Sequence, residues 1–315
     1  MFRFAIMGAG GIAAHFVKAM DVTGASVCAI ASKSLSRAQA FAKANGIASA
    51  YGDYAQMLEK EKPDAVYIAV TQQDHARLTD LCVSYGIPVL CEKAMFSNGY
   101  EADEVFSHAE EAGVFTMEAL WSRFLPSTNR VRSWLENGEI GDIALAEFGI
   151  GFQAPPDPEN RFFNPKLHGG AMYDLTVYGY EILTWLFGEN LYIENVAVSI
   201  ADTGVDATDF IVLRQKNSLF TIRTSLITPI EERMVIYGTR GKIIVPKPHI
   251  GGQADLLGPD GEVREHFVDT VTQHGFSYEI EETMRCIREG KLESPIVSHA
   301  STLGCAKFFD VMHLN

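Results

Sequence analysis

Four groups of residues have types and spacing that can do chemistry. The first is Gly8-Ala9-Gly10-Gly11-Ile12-Ala13, a GxGxxA pattern between a strand-like run, FRFAIM, and a segment with apolar residues at helical spacing, IAAHFVKAM. Glycines at a strand-to-helix turn permit a tight bend and close backbone approach to a pyrophosphate, which then lies on the free N–H groups of the helix N-terminus. A plain glycine turn fits the same letters. The position at the first β–α turn of the chain selects the dinucleotide reading, with Gly8, Gly10, Gly11, Ile12 and Ala13 as contacts. The second group lies at the end of the next strand. A ribose 2′-hydroxyl is usually bound there by Asp or Glu, about 20 residues after the fingerprint. Here the chain reads Ala31-Ser32-Lys33-Ser34, with Arg37 one turn later. A hydroxyl and two cations suit a 2′-phosphate, since Lys and Arg make charge-assisted hydrogen bonds to it. Ser32, Lys33 and Arg37 therefore favour NADP over NAD; the alternative is a solvated helix start, which predicts no discrimination.

The third group is Cys91-Glu92-Lys93-Ala94 at the C-terminal end of an apolar strand, the edge at which open parallel sheets bind ligands. A lysine there can reach a substrate or a nicotinamide, and can equally be a surface lysine. The fourth is Gly169-Gly170-Ala171-Met172-Tyr173-Asp174-Leu175-Thr176-Val177-Tyr178. A helix beginning near Ala171 puts Asp174, Tyr178 and Glu181 at i, i+4 and i+7, on one face. An acid and a phenol on one stripe can transfer protons, although a tyrosine on a helix is more often a packing residue.

These groups need elements to position them. Apolar runs at Val27–Ala31, Ala65–Val70 and Val89–Lys93 alternate with helix-forming stretches at Ser34–Ala44, Tyr54–Glu61, His75–Tyr85 and Tyr100–Ala112. That alternation argues for right-handed crossovers and a doubly wound parallel sheet, an α/β Rossmann domain over residues 1–122. Beyond Ile143 the texture is β-rich, with strands expected at Ile143–Phe152, Ile193–Ile200, Asp209–Gln215, Leu219–Ser225, Arg233–Tyr237 and Lys242–Val245. They predict a second, α+β domain over residues 123–315 with a large open, mostly antiparallel sheet, closed by helices at Tyr278–Glu289 and His299–Met312. The balance of 40 acidic against 26 basic side chains gives a net charge of −14, which repels phosphate backbones and argues against nucleic acid as a partner. No targeting pattern and no apolar stretch of about 20 residues is present, so a cytoplasmic protein without a membrane partner is expected. The five cysteines are scattered, without CxxC spacing, and read as reduced core residues, with no metal site or disulfide frame.

Taken together and in this order, GAGGIA, IAVTQQDHA, CEK, MEALWSRF (Met117–Phe124) and GGAMYDLTVY resemble the Gfo/Idh/MocA oxidoreductase family. The MEALWSRF stretch, SYEIEETMRCIREGKLESP (Ser277–Pro295) and a tyrosine where many members have histidine are similar to its dimeric dihydrodiol dehydrogenase branch, which includes NADP-dependent D-xylose dehydrogenases. The resemblance implies that Lys93 is the lysine of the family's Glu-Lys-Pro motif, Tyr178 its catalytic tyrosine and Asp174 the acid four residues earlier. It adds Thr71, His75, Glu92 and Lys93 to the cofactor-binding set, and it implies a homodimer formed through the C-terminal sheet. Two departures stand out: Ala94 replaces the usual proline, and Thr176 replaces a glycine that many relatives place near the nicotinamide.

The chemistry that the resemblance implies is hydride transfer between the nicotinamide and a hydroxyl-bearing carbon of a small sugar or cyclic trans-diol, with Tyr178 exchanging the hydroxyl proton. A free phenol, with a pKa of about 10, is a poor base at neutral pH; a cation within a few ångströms lowers it by about 1–3 units, and Lys93 is the natural cation. Trp121, Arg123, Phe124, Arg161, Phe162, His168 and Tyr173 mix aromatic planes with hydrogen-bond donors, a mixture that suits a ring carrying hydroxyls. Each of them, taken singly, also reads as packing. Two further readings stay open: a non-catalytic NADP-sensing regulator, and an internal-redox glycoside hydrolase or isomerase that retains its cofactor.

Overall fold

Phe4, Ala5, Ile6 and Met7 of the first strand, β1 (Arg3–Met7), have no exposed surface, the burial expected of a strand at the centre of a sheet covered on both faces. The chain continues through α1 (Gly11–Thr23), β2 (Ser26–Ala31), α2 (Leu35–Asn45), β3 (Ser49–Tyr51), α3 (Tyr54–Glu61), β4 (Ala65–Ile68), α4 (His75–Ser84), β5 (Val89–Glu92), α5 (Gly99–Ala112) and β6 (Thr116–Ala119). There follow α6 (Pro126–Glu136), β7 (Ile143–Gln153) and α7 (Val177–Phe187). A run of strands comes next: β8 (Tyr192–Ile200), β9 (Asp206–Gln215), β10 (Ser218–Ser225), β11 (Ile227–Gly238), β12 (Gly241–Pro246), β13 (Gln253–Leu257) and β14 (Val263–Val268). Helices α8 (Ser277–Arg288) and α9 (His299–His313) close it. The computed structural model describes residues 1–313. Among them, no helix is long and apolar enough to cross a membrane.

The chain divides into two units, the first made of Met1–Leu120 and Gln273–Ala306, the second of Trp121–Thr272 and the chain from Lys307 onward. The boundary expected at residue 122 lies beside the one between Leu120 and Trp121, but Gln273–Ala306 groups with the first unit. The reason is backbone and side-chain bonding to the edge strand β6. Thr116 donates its N–H to the carbonyl of Leu292 at 3.0 Å, and its own carbonyl faces Nε2 of His299 at 3.1 Å. Thr302 donates to Glu118 at 2.9 Å, and the His299 ring stacks on Phe106 at 4.0 Å. An uncovered strand edge is a template for unwanted pairing, and this segment covers it.

In the first unit six parallel strands lie in the order β3-β2-β1-β4-β5-β6, the doubly wound order of dinucleotide-binding sheets, whose switch point falls between β1 and β4. Side-chain caps set helix starts: Asp53 accepts the Gln56 N–H at 2.7 Å before α3, and Asn98 accepts that of Glu101 at 2.9 Å before α5. The second unit holds an eight-stranded sheet in the order β14-β13-β12-β11-β7-β10-β9-β8. Only β7 and β10 pair in parallel, so the sheet is mostly antiparallel, as its strand-rich sequence indicates. Two strands, β13 and β14, form a hairpin that the sequence pattern does not reveal. No residue of β14 is buried, so this edge strand carries no apolar alternation. Strand β11 is longer than expected because it begins at Ile227, passing Pro229 through register shifts that tolerate a missing N–H.

Helix α7 carries Tyr178 and is seated by two features. Arg123, in a short 3-10 turn, is 1% exposed and pairs with Glu181 of α7, which is 0% exposed. The same guanidinium reaches Thr184 at 3.2 Å and lies over the Trp185 ring. A buried charge left without its partner costs several kcal/mol, so neither member can leave. At Gly179 a Cβ would stand 2.7 Å from Ile222 Cγ2 and 2.9 Å from Phe148 Cδ1, which lets α7 sit close on β10 and β7. Gly179→Ala should therefore overpack this contact and lower stability by about 1–3 kcal/mol, read as a fall in the midpoint of chemical unfolding, despite alanine's better helix propensity.

Candidate functional site

The fingerprint glycines divide by what the fold needs of them. Gly8 has φ +109°, donates to the Ala31 carbonyl at 2.9 Å, and would push a Cβ to 2.3 Å from the Ala69 carbonyl oxygen. Only glycine fits there. Gly10 is extended backbone, its added Cβ would meet nothing nearer than 4.0 Å, and a Cβ on Gly11 would meet nothing within 4 Å. The fold itself has no use for glycine at these two positions. Gly10 is also the N-cap of α1 and makes no side-chain cap bond, and the first turn carries no acid. The N–H groups of that turn are thus left to an anion, and side chains at 10 and 11 would fill the space it needs. Ala13 is fully buried, matching the small third residue that lets helix and strand pack closely, whereas Ile12 is 37% exposed. The residues present fit a dinucleotide pyrophosphate.

At the end of β2, Ser32 is buried and its hydroxyl accepts the Ser34 N–H at 3.4 Å. Lys33 is exposed, with Nζ 2.6 Å from Oδ2 of Asp74, and Arg77 holds the other oxygen of Asp74 at 2.9 Å. Burial pushes the Asp74 carboxyl up, but the hydrogen bonds from Lys33 and Arg77 outweigh it and hold the group below its ordinary value. Arg37 is exposed on the first turn of α2. The sequence reading counted two cations here and missed Arg77 and the carboxylate that gathers Lys33 and Arg77.

The ends of β4 and β5 carry His75, Glu92, Thr71 and Lys93. His75 is 1% exposed, with Nδ1 2.9 Å from the Ala94 carbonyl and Nε2 3.1 Å from that of Val70. Both ring nitrogens face backbone and burial pushes its pKa down, so the ring braces the Lys93–Ala94 peptide, which is cis, from behind. Glu92 accepts the Tyr67 hydroxyl, and burial raises its carboxyl to about 6. Behind this pair Glu279 of α8 is fully buried with both oxygens lacking a donor; burial, then the nearby Glu92, pushes its carboxyl well above the ordinary range. Glu92 thereby ties the end of β5 to Tyr67 of β4. Thr71 accepts from Gln73 Nε2 at 2.7 Å. Lys93 is half-buried, and the loop beyond it is pinned by Glu118, which accepts the Met95 N–H at 2.9 Å.

In the second unit the expected α-helical start near Ala171 is a π-helical turn, Met172–Thr176, which runs into α7. Such turns shift the register by a residue and recur at functional sites, so Asp174, Tyr178 and Glu181 do not share one α-helical stripe. Asp174 is bound by Arg161 at 3.1 Å, and Arg161 stacks on Phe162 at 4.0 Å. Tyr178 is 9% exposed, and its ring lies 4.8 Å from that of His249, whose Nδ1 meets Glu232. His249 and Glu232 escaped the sequence reading because they lie far along the chain in segments with no motif. His168, at φ +52°, stacks with Tyr173 at 5.9 Å, and the Tyr173 hydroxyl meets His313 at 3.1 Å. Phe124 is 7% exposed and Trp121 half-buried. Two of the expected residues, Arg123 and Thr176, lie in the interior. Arg123 pairs with Glu181 inside the core. Thr176 is fully buried, its hydroxyl donating to Asp209 at 2.6 Å. A separate open groove of about 710 Å³ between α4 and α5, lined by Arg77, Asp80, Tyr100, Glu104 and His108, contains none of the fingerprint residues.

Comparison with known proteins gives a consistent result. Residues 2–120 match the model of the oxidoreductase family with the NAD-binding Rossmann fold, and residues 128–244 match the Gfo/Idh/MocA C-terminal domain. The chain is 31% identical over 313 residues to a trans-1,2-dihydrobenzene-1,2-diol dehydrogenase of Mus musculus, covering 95% of this chain and 92% of that protein. It is 30% identical over 327 residues to the protein of that name in Xenopus tropicalis, covering 98% and 96%. Among solved structures, a 3-ketoreductase from Actinomadura kijaniata in complex with NADP and TDP-benzene superposes with a TM-score of 0.91 at 21% identity, over 99% of this chain and 97% of that one. An aldose-aldose oxidoreductase from Caulobacter crescentus does so with a TM-score of 0.87 at 20% identity, over 99% and 96%; at these identities the two structures bear on fold alone. With the fingerprint turn and strand order already described, these matches establish that the chain belongs to the Gfo/Idh/MocA oxidoreductase family and is an NAD(P)-dependent dehydrogenase.

Proposed function

We propose that the protein uses NADP to oxidise or reduce a hydroxyl-bearing carbon of a small sugar or cyclic trans-diol, with Tyr178 as proton acid and base. The observation that carries the reading is the fingerprint turn, where Gly10 and Gly11 are glycine for no reason internal to the fold. When bound, the nicotinamide accepts or returns the hydride. Gly8, Gly10, Gly11, Ile12 and Ala13 hold the pyrophosphate by backbone and close packing. Ser32, Lys33 and Arg37 take the 2′-phosphate, and Arg77 joins them through Asp74. Thr71 and Lys93 complete the cofactor set, and Lys93 supplies the cation that a phenol needs to titrate near neutral pH. Asp174, anchored by Arg161, orients the turn before Tyr178. Trp121, Phe124, Arg161 and His168 line the substrate, and the full-length likeness to dihydrodiol dehydrogenases supports a vicinal diol. The open face of the eight-stranded sheet, where Phe210 is 42% and Ile227 50% exposed, suits a second copy of the chain, a homodimer that sedimentation would detect.

Three measurements bear on this. Gly10→Ala should leave the unfolding midpoint unchanged and weaken NADP binding at least tenfold by titration; equal loss of both would place the glycine in the fold instead. Replacing Lys33 and Arg37 together by alanine removes two charge-assisted hydrogen bonds, each worth about 1.5–3 kcal/mol. NADP affinity should then fall by at least a hundredfold with NAD affinity nearly constant; an equal loss for both cofactors would return the pair to a solvated helix start. Tyr178→Phe should lower kcat by about 10²–10⁴ with NADP affinity intact, measured at the reduced-nicotinamide band with aldoses, inositols and trans-dihydrodiols. Tight NADP binding with no reduction by any of them would favour a sensor or a retained-cofactor enzyme.

A further inference from the structure

Beneath the π-helical turn lie two carboxyl groups of β9 that no part of the proposed reaction uses. Asp206 accepts the Met172 N–H, at the start of the turn, at 2.6 Å. Asp209, 1% exposed, accepts the Thr176 hydroxyl, at the end of the turn, at 2.6 Å. Thr176 in turn receives a hydrogen bond from Thr224 of β10 at 2.6 Å. The two carboxyl groups lie close enough to act on each other's protonation. Oδ1 of Asp209 is buried and has no N–H or hydroxyl donor, so a proton on Asp206 is what can satisfy it. Among the described residues, no cation is a hydrogen-bond partner of either carboxyl. The strand partners of Asp209 are Val198 and Thr224, and that of Asp206 is Ile200. Arg223, next to Thr224, lies opposite Phe210 and so on the other face of the sheet. On the turn itself the charged residue is Asp174, already bound to Arg161. Gly170, at φ +125°, makes room for the pair: its Cβ would come within 2.1 Å of Asp206 Oδ1.

We propose that Asp206 and Asp209 form a one-proton clamp that grips both ends of the π turn and thereby positions Asp174 and Tyr178. Both aspartates are positioning residues, and the link to the reaction rests on the role given to Tyr178 above. Burial, then the Asp209 carboxylate beside it, holds the Asp206 carboxyl well above its ordinary range, and burial raises Asp209 to about 6. The folded pair so keeps a proton that unfolded aspartates, titrating near pH ~3.9, have lost. Stability from this source is complete below that value and falls as pH rises toward the raised one, by up to about tenfold in the folding constant per pH unit.

The test compares wild type, Asp206→Asn and Asp206→Ala in the full chain. The asparagine amide can donate to Asp209 and its carbonyl can accept from Met172, so the clamp survives without a titrating proton. Infrared difference spectra between wild type and Asp206→Asn at neutral pH should show loss of a protonated-carboxyl band. Trp121, Trp134 and Trp185 all lie in the second unit, so urea unfolding followed by their fluorescence reports on it. The wild-type stability should decline relative to Asp206→Asn as pH rises from 5 to 8. Amide exchange over residues 172–178 should speed at least tenfold in Asp206→Ala and stay slow in Asp206→Asn, with kcat following and NADP affinity constant. An unchanged band and parallel pH curves would show that no proton is held and overturn the clamp. Unchanged exchange in Asp206→Ala would overturn its positioning role. Activity retained in Tyr178→Phe would remove the link to the reaction alone, leaving the infrared, unfolding and exchange results standing.

Discussion

The carbonyl oxygen of Ala69 leaves no room for a side chain on Gly8, and this close approach sets the geometry of the first unit. Gly8 bonds to the end of β2 through Ala31, while Ala69, just past β4, donates to Met7 at 2.8 Å. The three strand ends are thereby drawn together at the switch point of the sheet, and α1 starts at a fixed place in front of them. Much of what is proposed to hold the cofactor is carried on these ends: the uncapped helix start, Ser32 and Lys33 after β2, and Thr71 after β4. Had β1 and β4 been spaced to admit a Cβ, the α1 amides would have no defined anion position.

The second unit is organised differently, around buried polar groups that must be satisfied. Arg123 with Glu181, and Asp206 with Asp209, sit where a low dielectric makes an unpaired group costly. Each contributes to one end of the segment that bears Tyr178, the aspartates before it and the ion pair after it. Apolar packing at Gly179 supplies closeness, while the polar bonds supply register. His75 plays a comparable part behind Lys93 by facing two backbone carbonyls.

The parts of this architecture that repeat along the chain were legible in the sequence. Buried strands alternating with helices gave the parallel sheet, the letters GAGGIA fell at the turn where they act, and the β-rich texture after Ile143 foretold an antiparallel sheet. What stayed hidden depends on contacts between distant residues. Strand β3 has three residues and β14 no buried face, so neither has a period to detect. The π turn adds one residue to a helical repeat, which no spacing rule can register in advance. Residue type pointed to Arg123 and the family resemblance to His75, but only the fold shows their partners, Glu181 for the one and two backbone carbonyls for the other. His249 lies beside Tyr178 for topological reasons, with nothing in PKPHI to announce it.

The interrupted layout of the first unit also bears on how the chain is made. Residues Met1–Leu120 leave the ribosome before Gln273–Ala306, and β6 remains an open edge until Leu292, His299 and Thr302 have been synthesised. For the whole time that the second unit is being translated, the nascent nucleotide-binding sheet presents unpaired N–H and C=O groups alongside Thr116. Such edges recruit other strands, so the completion of this sheet is a late event in synthesis and the interval before it is when a folding chaperone would have most to shield.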